Sequence, residues 1–315
     1  MKVLLAMGLL LALAWGVTLW KAGRHEAQAR STYPPLGSFV TVNGVRVHYL
    51  QQGQGPDVVL IHGASGNLRD FSFDLMDRLS DRYRVTAFDR PGLGYSDRLD
   101  RDGATIFEQA DLLADAAMAL GIENPVVLGH SYGGAVALAW ATRHRDGPAA
   151  LVLLAAASHP WDTPLSTYYK VLSHPLGQRL AVPALTAWVP DHVVTDTIDS
   201  IFAPQDSPEG YAEYIGAGLT LQRSALRENA LQRASILDEI TRMLPDYATL
   251  DLPVEILHGT ADTTVWLSIH SEPLAQQIEG ANLVRMEGVG HSPHHAEPRT
   301  VTNAIDRAAI RAGLR

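Results

Sequence analysis

Short apolar runs recur along most of this 315-residue chain, and segments with helical spacing separate them. The runs are rich in Val, Leu and Ile and are bounded by turns, which is typical of strands buried on both faces of a parallel sheet. They occupy residues 58–61, 83–88, 126–128, 150–154, 254–257 and 283–286. The pattern predicts an α/β fold with helices on both faces of a mostly parallel sheet.

Local turn and capping signals define further elements. Residues 39–50 alternate apolar and polar around Asn43-Gly44, a dipeptide that favours type I′ turns, so a β-hairpin is predicted there. Thr105 and Glu108 have the spacing of a capping box, and apolar residues at helical spacing follow them. A helix is therefore expected to begin next to Thr105.

The interval 158–250 is too long for an ordinary crossover between two strands of one sheet. Its apolar residues recur at helical spacing, and prolines such as Pro175 and Pro183 are expected to separate its helices. The interval is therefore predicted to be an inserted helical cap. The core that carries it is assigned to residues 36–157 and 251–315.

The N-terminus carries an apolar run, residues 3–20, with Lys2 before it and Lys21 after it. As a helix this run would be about 27 Å long, which nearly crosses the hydrocarbon of a bilayer. We expect residues 1–22 to be a retained membrane anchor, most simply in a bacterial envelope. Residues 23–35 are expected to be a linker.

A cleaved signal peptide is the alternative for this N-terminal segment. Residues 27–29 read Ala-Gln-Ala and resemble a cleavage site, although they lie far from the apolar run. Cleavage would give a secreted or periplasmic protein. Pro34-Pro35 is interpreted as a stiff spacer between the anchor and the folded domain.

Composition excludes several classes of function. The formal net charge of −9 leaves no basic surface for a phosphate backbone, so a nucleic-acid partner is not expected. The chain has no cysteine, which excludes disulfides, thiol catalysis and thiolate metal sites.

The strongest chemical signal is Gly-His-Ser-Tyr-Gly at residues 129–133, directly after the predicted strand 126–128. A helical run, residues 135–140, follows it. In this strand–turn–helix setting the G-x-S-x-G pattern is typical of a nucleophile elbow, because the flanking glycines permit a strained turn and close helix packing. Ser131 is the predicted nucleophile.

A serine nucleophile needs a base and a carboxylate that orients the base. His291 follows the last predicted strand, where a loop at the carboxyl edge of the sheet can reach Ser131. Asp262 follows the preceding strand and is the favoured carboxylate, and Asp162 is the alternative. The order Ser131, Asp262, His291 is the one expected for this type of fold.

Metal ligation is the alternative role for His291. His291, His294 and His295 could form a cluster, but it lacks a companion carboxylate at ligand spacing and contains Pro293. No metal is therefore predicted.

The developing oxyanion needs backbone N–H donors. Tyr132, which follows the nucleophile, and Ala64, in the small-residue loop after strand 58–61, are predicted to supply them. Gly92 and Gly94 follow a strand but lack the third glycine of a dinucleotide fingerprint, so no cofactor is predicted.

These segments resemble the α/β-hydrolase superfamily from residue 36 to the C-terminus. The resemblance is carried by the His62-Gly63 loop, by residues 89–96, by the Ser131 elbow and by the regions of Asp262 and His291. It implies a mostly parallel eight-stranded sheet whose second strand is antiparallel, with a cap after the sixth strand.

The resemblance also narrows the chemistry. A serine at the elbow disfavours relatives that use aspartate there, namely epoxide hydrolases and haloalkane dehalogenases. A small or lipophilic carboxylic ester is the expected substrate, and the N-terminal helix is expected to bring the enzyme to a membrane. A C–C bond hydrolase, and a small-molecule receptor with little turnover, are the alternatives.

Overall fold

Eight strands form one mixed sheet in the computed structural model of the protein, which describes residues 1–145 and 147–315. The strands are β1 (Ser38–Val42), β2 (Val45–Gln52), β3 (Asp57–Ile61), β4 (Arg84–Phe88), β5 (Val126–His130), β6 (Ala150–Leu154), β7 (Val254–Gly259) and β8 (Asn282–Met286). Their order across the sheet is β1-β2-β4-β3-β5-β6-β7-β8. β2 runs antiparallel to both neighbours and the other adjacent pairs are parallel. The predicted fold class is confirmed.

Helices cover both faces of the sheet and fill the segment between β6 and β7. In chain order they are α1 (Lys2–Thr32), α2 (Arg69–Ser72), α3 (Leu75–Ser80), α4 (Ile106–Ala119), α5 (Tyr132–Arg143), α6 (Thr167–Ser173), α7 (Pro175–Trp188), α8 (Asp191–Phe202), α9 (Tyr211–Ile215), α10 (Ala217–Thr220), α11 (Arg223–Met243), α12 (Ser271–Gln277), α13 (Pro293–Ala296) and α14 (Pro298–Arg311). A 3-10 helix, Leu244–Thr249, follows α11.

Two apolar clusters form the core, one on each face of the sheet. Along β3, Val59 and Ile61 join the cluster that contains α4 and α5, whereas Val58 and Leu60 join the cluster that contains α3 and α14. All four side chains are fully buried. Because both faces are covered, the strands are continuous apolar runs rather than alternating ones.

The predicted turn and capping signals are present. Asn43 and Gly44 both have positive φ, 51° and 82°, as a type I′ turn between β1 and β2 requires. The Thr105 side chain accepts from the Glu108 N–H, and the Glu108 side chain accepts from the Thr105 N–H, so α4 begins with the predicted capping box.

Helices α6 to α11 form the inserted cap. Pro175 occupies the first turn of α7, where its missing N–H costs no helical hydrogen bond. The prediction that Pro183 separates two helices is wrong, because Pro183 lies inside α7. Its ring is buried next to Val182, so apolar packing offsets the hydrogen bond lost at that position.

The N-terminal helix differs from the sequence-based expectation in its second half. α1 continues to Thr32, so residues 23–32 of the predicted linker are helical. They also bind the cap: His25 Nε2 lies 2.8 Å from Asp191 Oδ1, and Arg223 forms a salt bridge with Glu26. The residues that follow Gly23 in α1 favour helix, and these contacts hold that half of it against the folded domain.

The first half of α1 is apolar and exposed. The whole of α1 is long and apolar enough to cross a membrane, and only 6% of its most apolar 18-residue stretch is buried. A signal sequence has the same length, composition and position.

Candidate active site

Ser131 lies in a strained turn between β5 and α5. Its φ and ψ are 53° and −116°, a conformation that L-residues rarely adopt. The turn requires glycine on both sides: a Cβ on Gly129 would lie 2.3 Å from the Gly133 carbonyl oxygen, and a Cβ on Gly133 would lie 2.1 Å from the Ile61 carbonyl oxygen. The geometry is that of the predicted elbow.

The structure brings the three predicted catalytic side chains into one hydrogen-bonded line. The Ser131 hydroxyl lies 2.9 Å from His291 Nε2, and His291 Nδ1 lies 2.7 Å from Asp262 Oδ2. The carboxylate can only accept, so Nδ1 carries the proton and Nε2 is free to take one from Ser131. Ser131, Asp262 and His291 are 9%, 7% and 4% exposed.

Asp262 is fixed through both carboxylate oxygens. Oδ1 accepts from the backbone N–H groups of Thr264 and Val265 at 2.8 and 3.0 Å, and His258 Nε2 lies 3.2 Å from Oδ2. Burial raises the pKa of Asp262, but hydrogen bonds from His258 and His291 outweigh it, and the net pKa is lowered. Asp262 is therefore charged at neutral pH.

The alternative carboxylate lies elsewhere. Asp162 is exposed in the segment between β6 and α6, and His291 pairs with Asp262 instead. The favoured carboxylate, Asp262, is therefore the one that contacts the histidine.

The two predicted oxyanion donors flank the serine. In the described residues, the N–H groups of Ala64 and Tyr132 donate to no protein acceptor. The loop that carries Ala64 lies close to the nucleophile, since a Cβ on Gly63 would be 3.3 Å from the Ser131 Cβ. Both donors are therefore available to a negative oxygen near Ser131.

Arg90 supports this loop and was not found from the sequence. Its side chain is fully buried, and it donates to the carbonyl oxygens of His62 and Gly63, each at 3.0 Å. Its other contacts are the side-chain oxygens of Gln109 and Gln232. Burial lowers the pKa of Arg90 to about 10, so the guanidinium stays charged.

The neighbouring Asp89 holds the backbone of adjacent turns. Its carboxylate accepts from the N–H groups of Leu68 and Tyr95 and lies 2.7 Å from His48 Nδ1. Asp89 therefore shapes the turns next to the site and makes no contact with His291.

The three histidines of the rejected metal cluster have different partners in the structure. His291 faces Ser131, whereas His294 Nε2 and His295 Nε2 lie 3.1 and 2.9 Å from Asp70 Oδ1. Asp70 is the companion carboxylate that sequence spacing did not reveal, because it comes from α2, far away along the chain. Asp70, His294 and His295 are the residues that could hold a metal ion.

A mostly parallel eight-stranded sheet with a serine elbow after a central strand and a helical cap is the architecture of an α/β-hydrolase. The chain belongs to the alpha/beta hydrolase family, whose model matches residues 58–304. That match covers the sheet from β3 onward, the cap and the three side chains described above.

One curated protein and two solved structures are similar to this chain over most of its length. An uncharacterized protein of Mycobacterium tuberculosis is 27% identical over 321 residues, covering 93% of this chain and 90% of that protein. A thermophilic esterase from Thermogutta terrifontis is 24% identical with a TM-score of 0.70, and the match covers 88% of this chain and 99% of the esterase.

A membrane phospholipase A, described as a bacterial virulence factor, is 23% identical with a TM-score of 0.61, and the match covers 98% of each chain. At these identities the likeness to solved structures concerns the fold. Together with the family, these neighbours support a hydrolase activity.

Proposed function

We propose that this chain is a membrane-anchored serine hydrolase that cleaves a lipophilic carboxylic ester through an acyl-enzyme. The observation that carries the proposal is the line from Ser131 Oγ through His291 to Asp262, with distances of 2.9 and 2.7 Å. In this proposal residues 1–22 are the anchor, 36–157 and 251–315 the catalytic core, and 158–250 the cap.

In the first half of the reaction, Ser131 Oγ attacks the ester carbonyl carbon and its proton moves to His291 Nε2. The negative oxygen of the tetrahedral intermediate accepts hydrogen bonds from the N–H groups of Ala64 and Tyr132. Asp262 stabilises the imidazolium. His291 then gives the proton to the leaving alcohol oxygen, and the acyl group stays on Ser131.

In the second half, His291 takes a proton from a water molecule as that water attacks the acyl-enzyme. A second tetrahedral intermediate forms at the same donors and collapses when His291 returns the proton to Ser131 Oγ. The products are an alcohol and a carboxylic acid, and the residues of the chain end in their starting protonation states.

The surface of the cap supports a lipophilic substrate. Helices α6 and α7 expose several large apolar side chains and line an apolar groove of about 470 Å³. Trp188 lies at one side of the groove, where its Nε1–H donates to Thr18 Oγ1 of α1 and its ring lies 3.9 Å from Lys21 Nζ. Thr18 and Lys21 lie at the end of the apolar run, so an inserted α1 would bring this groove to the membrane surface.

The likeness to the membrane phospholipase A gives independent support for the anchor. That match covers 98% of this chain and therefore includes most of α1, whereas the match to the thermophilic esterase covers 88%. Esters of membrane lipids are the substrates that best suit an anchored enzyme with an apolar groove beside its anchor.

The proposal is tested with the full-length protein in detergent micelles. A fluorophosphonate probe should label the wild type and leave Ser131→Ala unlabelled, and turnover of esters of increasing acyl length should fall at least about 1,000-fold in that variant. Ser200→Ala is the matched control, because Ser200 is exposed on α8. This variant should keep both the labelling and the ester turnover of the wild type.

Three outcomes would contradict the proposal. Labelling that persists in Ser131→Ala would assign the nucleophile elsewhere. Labelling of the wild type with no turnover of any ester would favour a small-molecule receptor, and cleavage of a carbon–carbon bond in a diketone faster than any ester would favour a C–C bond hydrolase.

A further inference from the structure

A second cluster of buried polar side chains lies beside the proposed active site. Asp70 Oδ1 lies 3.1 Å from His294 Nε2, 2.9 Å from His295 Nε2 and 2.7 Å from the Tyr211 hydroxyl. His130, which precedes Ser131, faces the other oxygen of Asp70. The side chains of Asp70, His130, His294 and His295 are 8%, 9%, 0% and 3% exposed.

The protonation state of His130 is set by its other contact. His130 Nε2 lies 2.8 Å from the carbonyl oxygen of His291, which can only accept, so Nε2 carries the hydrogen. In the neutral ring, Nδ1 is then a bare lone pair. That atom is buried without a hydrogen-bond partner in the described residues, and it lies 3.8 Å from Asp70 Oδ2.

Two acceptors therefore face each other in a buried space, which is an unfavourable arrangement for a site held by hydrogen bonds alone. A cation between them removes the conflict. A network in which Asp70 only accepts from Tyr211, His294 and His295 leaves the His130 lone pair unpaired, so it does not account for His130.

The spacing of these atoms suits a small metal ion. Zn–N and Zn–O bonds of about 2.0–2.1 Å place neighbouring ligands of a tetrahedral site roughly 3.3 Å apart. His295 Nε2 and His294 Nε2 lie 2.9 and 3.1 Å from Asp70 Oδ1, and His130 Nδ1 lies 3.8 Å from Asp70 Oδ2. These distances fall on both sides of the expected separation. The ligand atoms of Asp70, His294 and His295 lie within 4.8 Å of one another. His130 Nδ1 faces the second oxygen of Asp70, so forming the site would require the His130 ring to move toward the other three ligands.

A ligating imidazole needs a ring nitrogen that carries no hydrogen. His130 Nδ1 already meets this condition, whereas His294 Nε2 and His295 Nε2 donate to Asp70 in the hydrogen-bonded network. Metal binding would therefore move the hydrogen of each of these two rings to Nδ1.

We propose that Asp70, His130, His294 and His295 bind a divalent transition-metal ion, with Zn²⁺ as the ion that best fits three imidazoles and one carboxylate. The His130 Nε2–H bond to the His291 carbonyl is the outer contact that fixes the orientation of a ligating ring. Four protein ligands make a closed, structural site rather than a catalytic one. The ion would join α2, β5 and α13, and would steady the loop that carries His291.

The test uses full-length protein without a histidine tag, in detergent, after dialysis against a chelator. Zn²⁺ and Co²⁺ are titrated and the bound metal is measured by calorimetry and elemental analysis. The variants are Asp70→Asn and His295→Gln; the Gln amide can still donate to Asp70, so the hydrogen-bonded network can persist without the imidazole ligand. His144→Gln is the control, since His144 Nε2 lies 2.8 Å from Asp111 in a surface pair of one histidine and one carboxylate.

The expected result is one Zn²⁺ per chain, a melting temperature that rises with Zn²⁺, and visible Co²⁺ absorption typical of a four-coordinate site. His295→Gln and Asp70→Asn should each weaken binding by at least about tenfold, and His144→Gln should not. Equal Zn²⁺ binding by the wild type and His295→Gln, or no binding by the wild type, would overturn the proposal. Metal binding is measured without turnover, so the result is independent of the ester chemistry.

Discussion

The two oxygens of Asp262 have separate roles in the proposed mechanism. Oδ1 is held by two backbone N–H groups, which fix the orientation of the carboxylate, and Oδ2 faces His291. Oδ2 can only accept a hydrogen bond, so it favours the His291 tautomer that carries its hydrogen on Nδ1. In that tautomer Nε2 is free to act as the base toward Ser131.

Replacing Asp262 by Asn should separate this role from simple packing. Asn has the same shape, but its NH₂ group can face His291 Nδ1 and stabilise the tautomer that cannot accept the Ser131 proton. We expect kcat to fall by about 10³–10⁴-fold with little change in melting temperature. Asp162→Asn, at the exposed alternative carboxylate, should keep full activity, and a large loss there would contradict the assignment of Asp262.

His62 makes the stability of the oxyanion loop depend on pH. His62 Nδ1–H donates to the Gly63 carbonyl oxygen, and Nε2 accepts from the Arg90 N–H, so both nitrogens are used in the neutral ring. Burial and the charge of Arg90 lower the pKa of His62 to about 4. A second proton on the ring would break the bond from Arg90.

The free energy of unfolding should therefore fall as the solution is acidified. Between pH 6.5 and about 4 the unfolded chain protonates His62 and the folded chain does not, so His62 contributes a loss of about 1.4 kcal/mol per pH unit. Chemical unfolding of wild type and His62→Gln between pH 7.5 and 5 measures this contribution. The slope should be smaller in His62→Gln, and equal slopes would show that His62 titrates normally.

Candidate site residues could be predicted from the sequence where each one directly follows a predicted strand. Ser131, Asp262 and His291 were each chosen in this way, and the structure places their side chains within hydrogen-bonding distance of one another. Arg90 and Asp70 were not found, because their partners come from distant elements. Arg90 bonds the loop after β3, α4 and α11, and Asp70 bonds α9 and α13. Spacing along the chain contains no signal for such contacts.

The second half of α1 joins the exposed apolar half of that helix to the cap. The Glu26 carboxylate accepts from the Arg223 backbone N–H at 2.8 Å and from its guanidinium at 2.9 and 2.6 Å. Arg30 Nε–H also donates to Oε1 of Gln222, the residue just before α11. These contacts fix the direction in which α1 leaves the folded domain.

Glu26→Gln should therefore loosen the attachment of α1 to the cap. Loss of the charge weakens three hydrogen bonds in a partly buried pair, for which we expect about 1–2 kcal/mol and a melting temperature lower by roughly 2–6 °C. Gln28→Ala is the control, because Gln28 bonds only Thr32 within the same helix. If the two variants melt at the same temperature, the contact between Glu26 and Arg223 does not hold the helix.

Elements defined by local signals were predicted well. The Asn43-Gly44 turn and the Thr105 capping box act over a few residues, and both are present. The predictions for Pro183 and residues 23–32 were wrong, because tertiary packing decides both. The Pro183 ring is buried in the cap, and the second half of α1 packs against α7 and α10. Propensity is a weak guide where packing dominates.

At the scale of the whole molecule, exposed apolar side chains of α1, α6 and α7 form one surface. The exposed first half of α1 and the apolar side chains of α6 and α7 lie next to each other, since Trp188 contacts both Thr18 and Lys21. Leu176 and Leu180 of α7 are 60% and 56% exposed. An anchored molecule would place these side chains in the outer part of the bilayer, where they would hold the cap against the lipid that supplies the substrate.

Replacing Leu176 and Leu180 together by Ser tests this orientation. Partial burial of two leucine side chains in lipid contributes roughly 1.4 kcal/mol, so turnover of an ester presented in phospholipid vesicles should fall about tenfold. Hydrolysis of a short, water-soluble ester should be unchanged, because neither residue contacts Ser131, Asp262 or His291. Ile310→Ser is the matched control, since Ile310 is equally exposed, at 60%, on α14. An equal loss on both substrates would mean that α7 supports the active site and not the contact with the membrane.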